Sequence, residues 1–413
     1  MLTLRLSVVN CGAIALLLSS CSSQSKPSEQ IRHARTDSAG LAVTEIWVPE
    51  ESRHSHWLPS PDPAYVAGVD NDTLYGVAAA VRLPDGGIVS VSPAAHEMRR
   101  FDQMGKLQWT VGRRGEGPGE FQLPGSICLA GDTLIVGDYA RIHFFSTTGA
   151  LIRTFVPRFT EGVLPAGVWR CGGDGAMAAQ TFASVDWLQR AAAVWRDSAE
   201  LYWLPRGSDS ARIIQRIPVD EYYLARLEGS SNPARRRLPG GRVTIWSVRG
   251  ERAYIGVGDG FELQLYERNA VGVDAWRQVA IIRIVGRDQN LSPASIAAFE
   301  RDLERQRLSS DPDRIDPAVS TKAPYPATIP PYDALLIGND GDLWIREYRW
   351  QPASDEEQSW LVLSSTGEFH AHVRIPAELV VLDVGTNTFV TRVRDSLGLE
   401  QLRVYAILRS DQR

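Results

Sequence analysis

The residues whose types suit chemistry fall at spacings that complete no familiar constellation. Gly115-x-Gly117-x-Gly119 has the glycine density of a phosphate-cradling loop. Its third glycine comes one residue too early for a dinucleotide fingerprint, and no helical pattern follows. His96-Glu97 lacks the second histidine one turn on that a zinc-binding helix needs, and its surroundings read as strand. His370 and His372 would share one side of an outer strand, two imidazoles without a third ligand, and read as a solvated face. No Gly-x-Ser-x-Gly elbow, no loop ending in Gly-Lys-Ser/Thr and no Cys-x-x-Cys pair occurs. Asp333 and Asp383 sit beside apolar runs, where two hard ligands are few for a cation that wants six or more oxygens. The pattern therefore predicts no metal, no cofactor and, on balance, no enzyme.

The elements that would position such residues are short and extended. The chain has 413 residues, 44% hydrophobic and 23% charged, which excludes wholesale disorder. A formal charge of −5 offers no basic field for nucleic acid. Tight turns recur between β-rich runs: Pro84-Asp85-Gly86-Gly87, Ala130-Gly131-Asp132, Gly172-Gly173-Asp174-Gly175, Val248-Arg249-Gly250-Glu251, Asn339-Asp340-Gly341-Asp342 and Val384-Gly385-Thr386-Asn387. A second ladder of turns lies between them at Asp102–Gly105, Ser146–Gly149 and Ser364–Gly367. Four strands per unit, repeated six times, is the rhythm of a propeller blade.

The N-terminus reads as an address. One positive charge at Arg5 precedes a mostly apolar run over residues 6–18, fitting a secretory signal and too short for a bilayer span. Leu18-Ser19-Ser20-Cys21 resembles the lipobox of bacterial lipoproteins. The resemblance implies cleavage after residue 20, acylation (palmitate among the chains) at Cys21, and attachment by lipid alone; Ser22 after the cysteine implies export to the outer membrane. Residues 21–40 then read as a lipidated, polar tether, roughly 25 Å in span at about 5–6 Å × √n. With Cys11 removed and Cys21 acylated, Cys128 and Cys171 remain. In an oxidising compartment they could close one disulfide or stay as two buried thiols.

Val111-Gly112-Arg113-Arg114-Gly115-Glu116-Gly117-Pro118-Gly119-Glu120-Phe121, with Gly131–Asp138 and Arg141–Phe145, resembles the joint between NHL-type repeats. The match covers about residues 97–157 and implies a divergent six-bladed β-propeller related to the NHL and TolB-like families, over residues 41–413. The all-β ring is expected to close by pairing an N-terminal strand, Leu41–Pro49, into a sixth blade that lacks its outermost strand. A short helix is expected at about 291–309, between blades, opening at Ser292-Pro293.

Enlarged segments at 50–76, 112–124, 182–190, 218–241, 286–332 and 349–358 would all fall on one face of such a ring, the mark of a binding face. Its candidate contacts are Arg113, Arg114, Trp187, Arg235, Arg236, Arg237 and Trp350, residue types enriched at hot spots. The expected function is recognition of an envelope protein or extracellular ligand. The alternative is a hydrolase or lyase of the lactonase-like type in the central channel, with Asp333 and Asp383 as its acids. Propeller lactonases hold a divalent metal there with carboxylates and asparagines, whereas the first strands here are mostly apolar.

Overall fold

The computed structural model describes residues 31–38, 40–48, 57–69, 72–159, 165–172, 175–181, 194–225, 234–269, 275–308, 324–350 and 357–409. They form a β-propeller of six antiparallel-based sheets. The innermost strand of each blade is Ala79–Arg82, Pro124–Ala130, Pro165–Cys171, Ile245–Arg249, Tyr332–Ile337 and Val380–Val384 in turn. Each lies against the next around a ring, and the sixth returns to the first.

Burial changes across a blade as the position demands. In the first blade the second strand, Ile88–Ser92, is buried at every position, because neighbouring sheets cover both of its faces. The fourth, Leu107–Val111, alternates half-buried with exposed. The core lies between blades: Val89, Phe121 and Phe145 fill the gap between the first two, and Trp344, Trp360, Phe389 and Tyr405 the gap between the last two. Each such side chain contributes about 1.5–3 kcal/mol on leaving water.

Ring closure differs from the expectation. Leu41–Trp47 does not reach the sixth blade; it pairs in parallel with Ala275–Val285, the fourth strand of blade four. The sixth blade is completed instead by Trp57–Pro59 and Tyr65–Ala67, both antiparallel to Glu400–Arg409. The alternation over 41–49 is real, but the apolar side chains Val43, Ile46 and Val48 are buried on blade four. The expected tether is also shorter than 21–40. Arg32–Ser38 is a strand antiparallel to Leu41–Trp47, and all seven of its side chains are exposed. Backbone pairing and an exposed ion pair between Arg35 and Glu368 define it, so no apolar pattern announced it.

The helix, Pro293–Leu308, forms where its start signal placed it. Ser292 Oγ accepts the N–H of Ser295 at 3.1 Å, satisfying one of the first-turn donors. No described helix is long and apolar enough to cross a membrane.

Candidate functional site

In an antiparallel blade, the joins between second and third strands and between blades all emerge on one face. Residues 112–123, 234–244, 286–292, 324–331 and 348–350 belong to such joins. They bring Arg113, Arg114, Arg235–Arg237 and Trp350 to the same face of the ring. Trp187 and Cys21 lie outside the described residues.

What these side chains touch separates them. Arg113 is exposed, and its Nε donates to Glu120 Oε1 at 2.8 Å. Glu120 Oε2 accepts the N–H of Gly117 at 2.8 Å, and a Cβ at Gly115 would come within 2.0 Å of that carboxylate. The glycine cluster is thus a turn folded around Glu120. The Gly117 N–H and the Arg113 guanidinium hold the Glu120 carboxyl below the usual carboxylate range. Arg114 is exposed beside it. Ala234–Arg237, expected as loop, is a fifth strand on blade three, paired with Tyr222–Ala225. Arg235 lies over the Tyr222 ring at 4.5 Å, and Arg237 Nε sits 3.3 Å from Asp220 Oδ2. Trp350 is half-buried against the helix. Its ring packs 4.8 Å from Phe299 of the helix and 6.2 Å from Tyr325, and its Nε1 donates to the Ser295 carbonyl at 3.1 Å. It props the helix against the ring.

Under the two limbs of the helical insertion lies a cavity of about 860 Å³ that the sequence did not reveal. Arg287, Glu347, Arg349, Glu357, His372 and Arg374 contribute its charged and titratable wall together with Asp288. His372 is buried here, not solvated, whereas His370 is more exposed and contacts Asp342. Ser359 Oγ lies 2.6 Å from His372 Nε2, and its hydroxyl donates to Glu347 Oε2. A carboxylate only accepts, so the serine proton points to Glu347 and the histidine donates to Ser359. That order is the reverse of a nucleophile activated by a base, in which the serine proton must face the imidazole. Arg287 Nε, 3.1 Å from Glu347 Oε1, fixes the other end of the chain.

The central channel is a second cavity, of about 750 Å³. Arg82, Arg170 and Arg249 line it, with Asp383 as the one carboxylate in its wall among the described residues. The first strands are apolar for most of their length, as expected, but these three arginines stand near the ends that lead into the first turn of each blade. Burial pushes the Asp383 carboxyl up, against the Arg82 backbone N–H that donates to it at 3.3 Å. Asp333, the other acid of the alternative reading, accepts Arg346 Nε at 2.5 Å and is a strand-end ion pair. Among the described residues no group of three or more His, Cys, Asp or Glu could hold a metal ion. Cys128 and Cys171 are joined across the first strands of blades two and three, with α-carbons 5.5 Å apart.

No family model matches this chain, and no curated protein matches it significantly. Solved structures resemble it at low identity. An exported protein of Bacteroides fragilis aligns over 88% of this chain and 99% of its own, at 12% identity and a TM-score of 0.47. A gluconolactonase of Xanthomonas campestris aligns over 91% and 100%, at 10% identity and 0.40. A streptogramin B lyase aligns over 82% and 85%, at 11% identity and 0.36. Likeness at this level says nothing of activity.

Proposed function

We propose that the chain is an extracytoplasmic binding propeller, anchored by lipid at Cys21 in the outer membrane of a bacterial envelope. It recognises an envelope protein or extracellular ligand through the enlarged face. The observation that carries the reading is the cavity of about 860 Å³ on that face, walled by charges of both signs from Arg287, Arg349 and Arg374 and from Asp288, Glu347 and Glu357. Mixed charge around a concave site suits a polar partner held in one register, since complementary potentials set specificity and like charges exclude wrong partners.

The test places a photo-cross-linking residue at position 374, on the cavity wall, or at position 106, on an exposed turn of the opposite face. Irradiated envelopes should give a discrete adduct from 374 and none from 106. Adducts from 106 alone would overturn the assignment of the face. The second reading, channel chemistry, rests on Asp383 alone, because Arg346 occupies Asp333. Asp383→Asn should leave capture at position 374 unchanged.

A further inference from the structure

We infer that the central channel is a separate binding site for a small organic anion, whose carboxylate or phosphate oxygens are held by Arg82, Arg170 and Arg249. The site does not depend on the enlarged face, and either assignment can fail without the other.

The first ground is charge. Among the described residues, three guanidinium groups and one carboxylate are the charged side chains lining the cavity of about 750 Å³. Asp383 cannot balance them, and its burial favours the protonated form. The wall therefore carries an excess of positive charge inside a chain whose overall formal charge is −5. Three arginines around one channel also repel the divalent cation that a carboxylate-lined propeller channel would attract.

The second ground is how each arginine is held. Arg249 Nη1 donates to the Ile337 carbonyl at 3.0 Å, and its Nη2 donates to Asn339 Oδ1. Arg82 Nη1 donates to Thr388 Oγ1 at 3.3 Å. These contacts orient the two forks. Arg170 is the least compensated. Its guanidinium lies over the Trp246 ring at 5.1 Å, and its Nε finds no hydrogen-bond partner among the described residues. Burial pushes its pKa down, the sign of a cation taken from water, and it has no counter-ion among the described residues. A cation left in that state destabilises the fold, whereas an oxyanion entering the channel would meet planar donors ready for bidentate contact. The disulfide between Cys128 and Cys171 ties the walls on either side of this position, so the donors approach pre-positioned.

The experiment titrates the full chain, in detergent at low ionic strength, with citrate and separately with inorganic pyrophosphate. Calorimetry should show one of them binding one-to-one, with affinity falling as salt rises, and the arm that binds identifies carboxylate or phosphate. Arg170→Gln should weaken that binding at least tenfold, whereas Lys106→Gln, the same charge change on an exposed turn, should leave it unaltered. If Arg170→Gln fails to fold, phenylglyoxal labelling of the unaltered protein decides. The bound anion should protect Arg82 and Arg170 from modification, while Arg113 reacts as before. Absence of saturable binding by both probes, equal losses in Arg170→Gln and Lys106→Gln, or labelling indifferent to the anion would each overturn the assignment.

Discussion

Asp138 gives the sharpest test of how the first long inter-blade segment is fixed. It is fully buried, and its carboxylate accepts the Gln122 N–H at 3.0 Å, the Leu123 N–H at 2.5 Å and His143 Nε2 at 3.3 Å. Beside it, Phe121 is fully buried with its ring edge-on to His143 at 5.1 Å. Asp138→Ala strands these three donors away from water. Each unsatisfied group costs about 1–3 kcal/mol, and partial relaxation leaves a net loss of about 3 kcal/mol. Asp138→Asn keeps one acceptor but turns an amide N–H towards a donor, for a loss of about 2 kcal/mol. In a domain of this size Asp138→Ala should lower the melting temperature by roughly 5 °C in calorimetry. Burial by itself would raise the Asp138 carboxyl, but the His143 contact and the two backbone N–H groups outweigh it and hold the pKa below the ordinary aspartate value. The unfolded chain therefore binds the proton more tightly. The stabilisation is complete above the unfolded value near pH 4 and disappears as pH falls through the lower folded value. The gap between the native protein and Asp138→Asn should hold above about pH 5 and narrow below it. An Asp138→Ala variant melting within about 1 °C of the native protein, or a gap unchanged down to pH 3, would refute this account.

Three further outcomes are expected. Cys21→Ser should remove the lipid mass increment and release the chain from the membrane fraction, which fractionation with mass spectrometry checks. Deleting residues 31–48 should expose the edge of blade four but leave the sixth blade closed, whereas deleting 31–69 should open the ring and abolish cooperative melting; equal melts for the two would count against closure by Trp57–Pro59 and Tyr65–Ala67. Replacing Cys128 and Cys171 by Ala should lower stability by about 4 kcal/mol on the chain-entropy account for their separation of 43 residues, and non-reducing peptide mapping of the native protein should recover them joined.

The blade rhythm was legible because tight turns and buried second strands leave a local signature, and the helix because Ser292-Pro293 is a local start signal. What escaped reading depends on partners distant in sequence. Trp57–Pro59 and Tyr65–Ala67 are three residues each, too short for alternation to register, and exist because the far end of the chain offers an unpaired edge. Arg32–Ser38 buries nothing, and Ala234–Arg237 looks like a solvated charge run until its pairing with Tyr222–Ala225 is known. Trp350 shows the opposite error, since residue type alone made an anchor of a ring that the helix covers. The channel arginines did leave a trace: Val81-Arg82-Leu83, Trp169-Arg170-Cys171 and Val248-Arg249-Gly250 each put a cation just before a first turn. Averaged over an apolar strand, one charge per blade reads as noise; the ring geometry makes the three converge.

Topology also orients the two proposed sites relative to the anchor. Arg32 pairs with Trp47, which pairs with Val285, and a Cβ at Gly286 would come within 2.9 Å of the Trp47 ring. Ile31, the first described residue, therefore lies beside the root of the helical insertion, on the enlarged face. Only nine residues separate Cys21 from Ile31, which limits their distance to about 36 Å even at full extension. A chain lipidated at Cys21 would hold its enlarged face and the cavity under the helix close to the membrane, where the accessible partners are proteins of that same membrane. The channel arginines stand at the other ends of the first strands, near the turns of the opposite face. That mouth would open away from the lipid, towards the compartment from which a dissolved anion arrives. With a lipid at Cys21, the opposed sites would make one arrangement, a membrane-facing contact surface with a solution-facing channel.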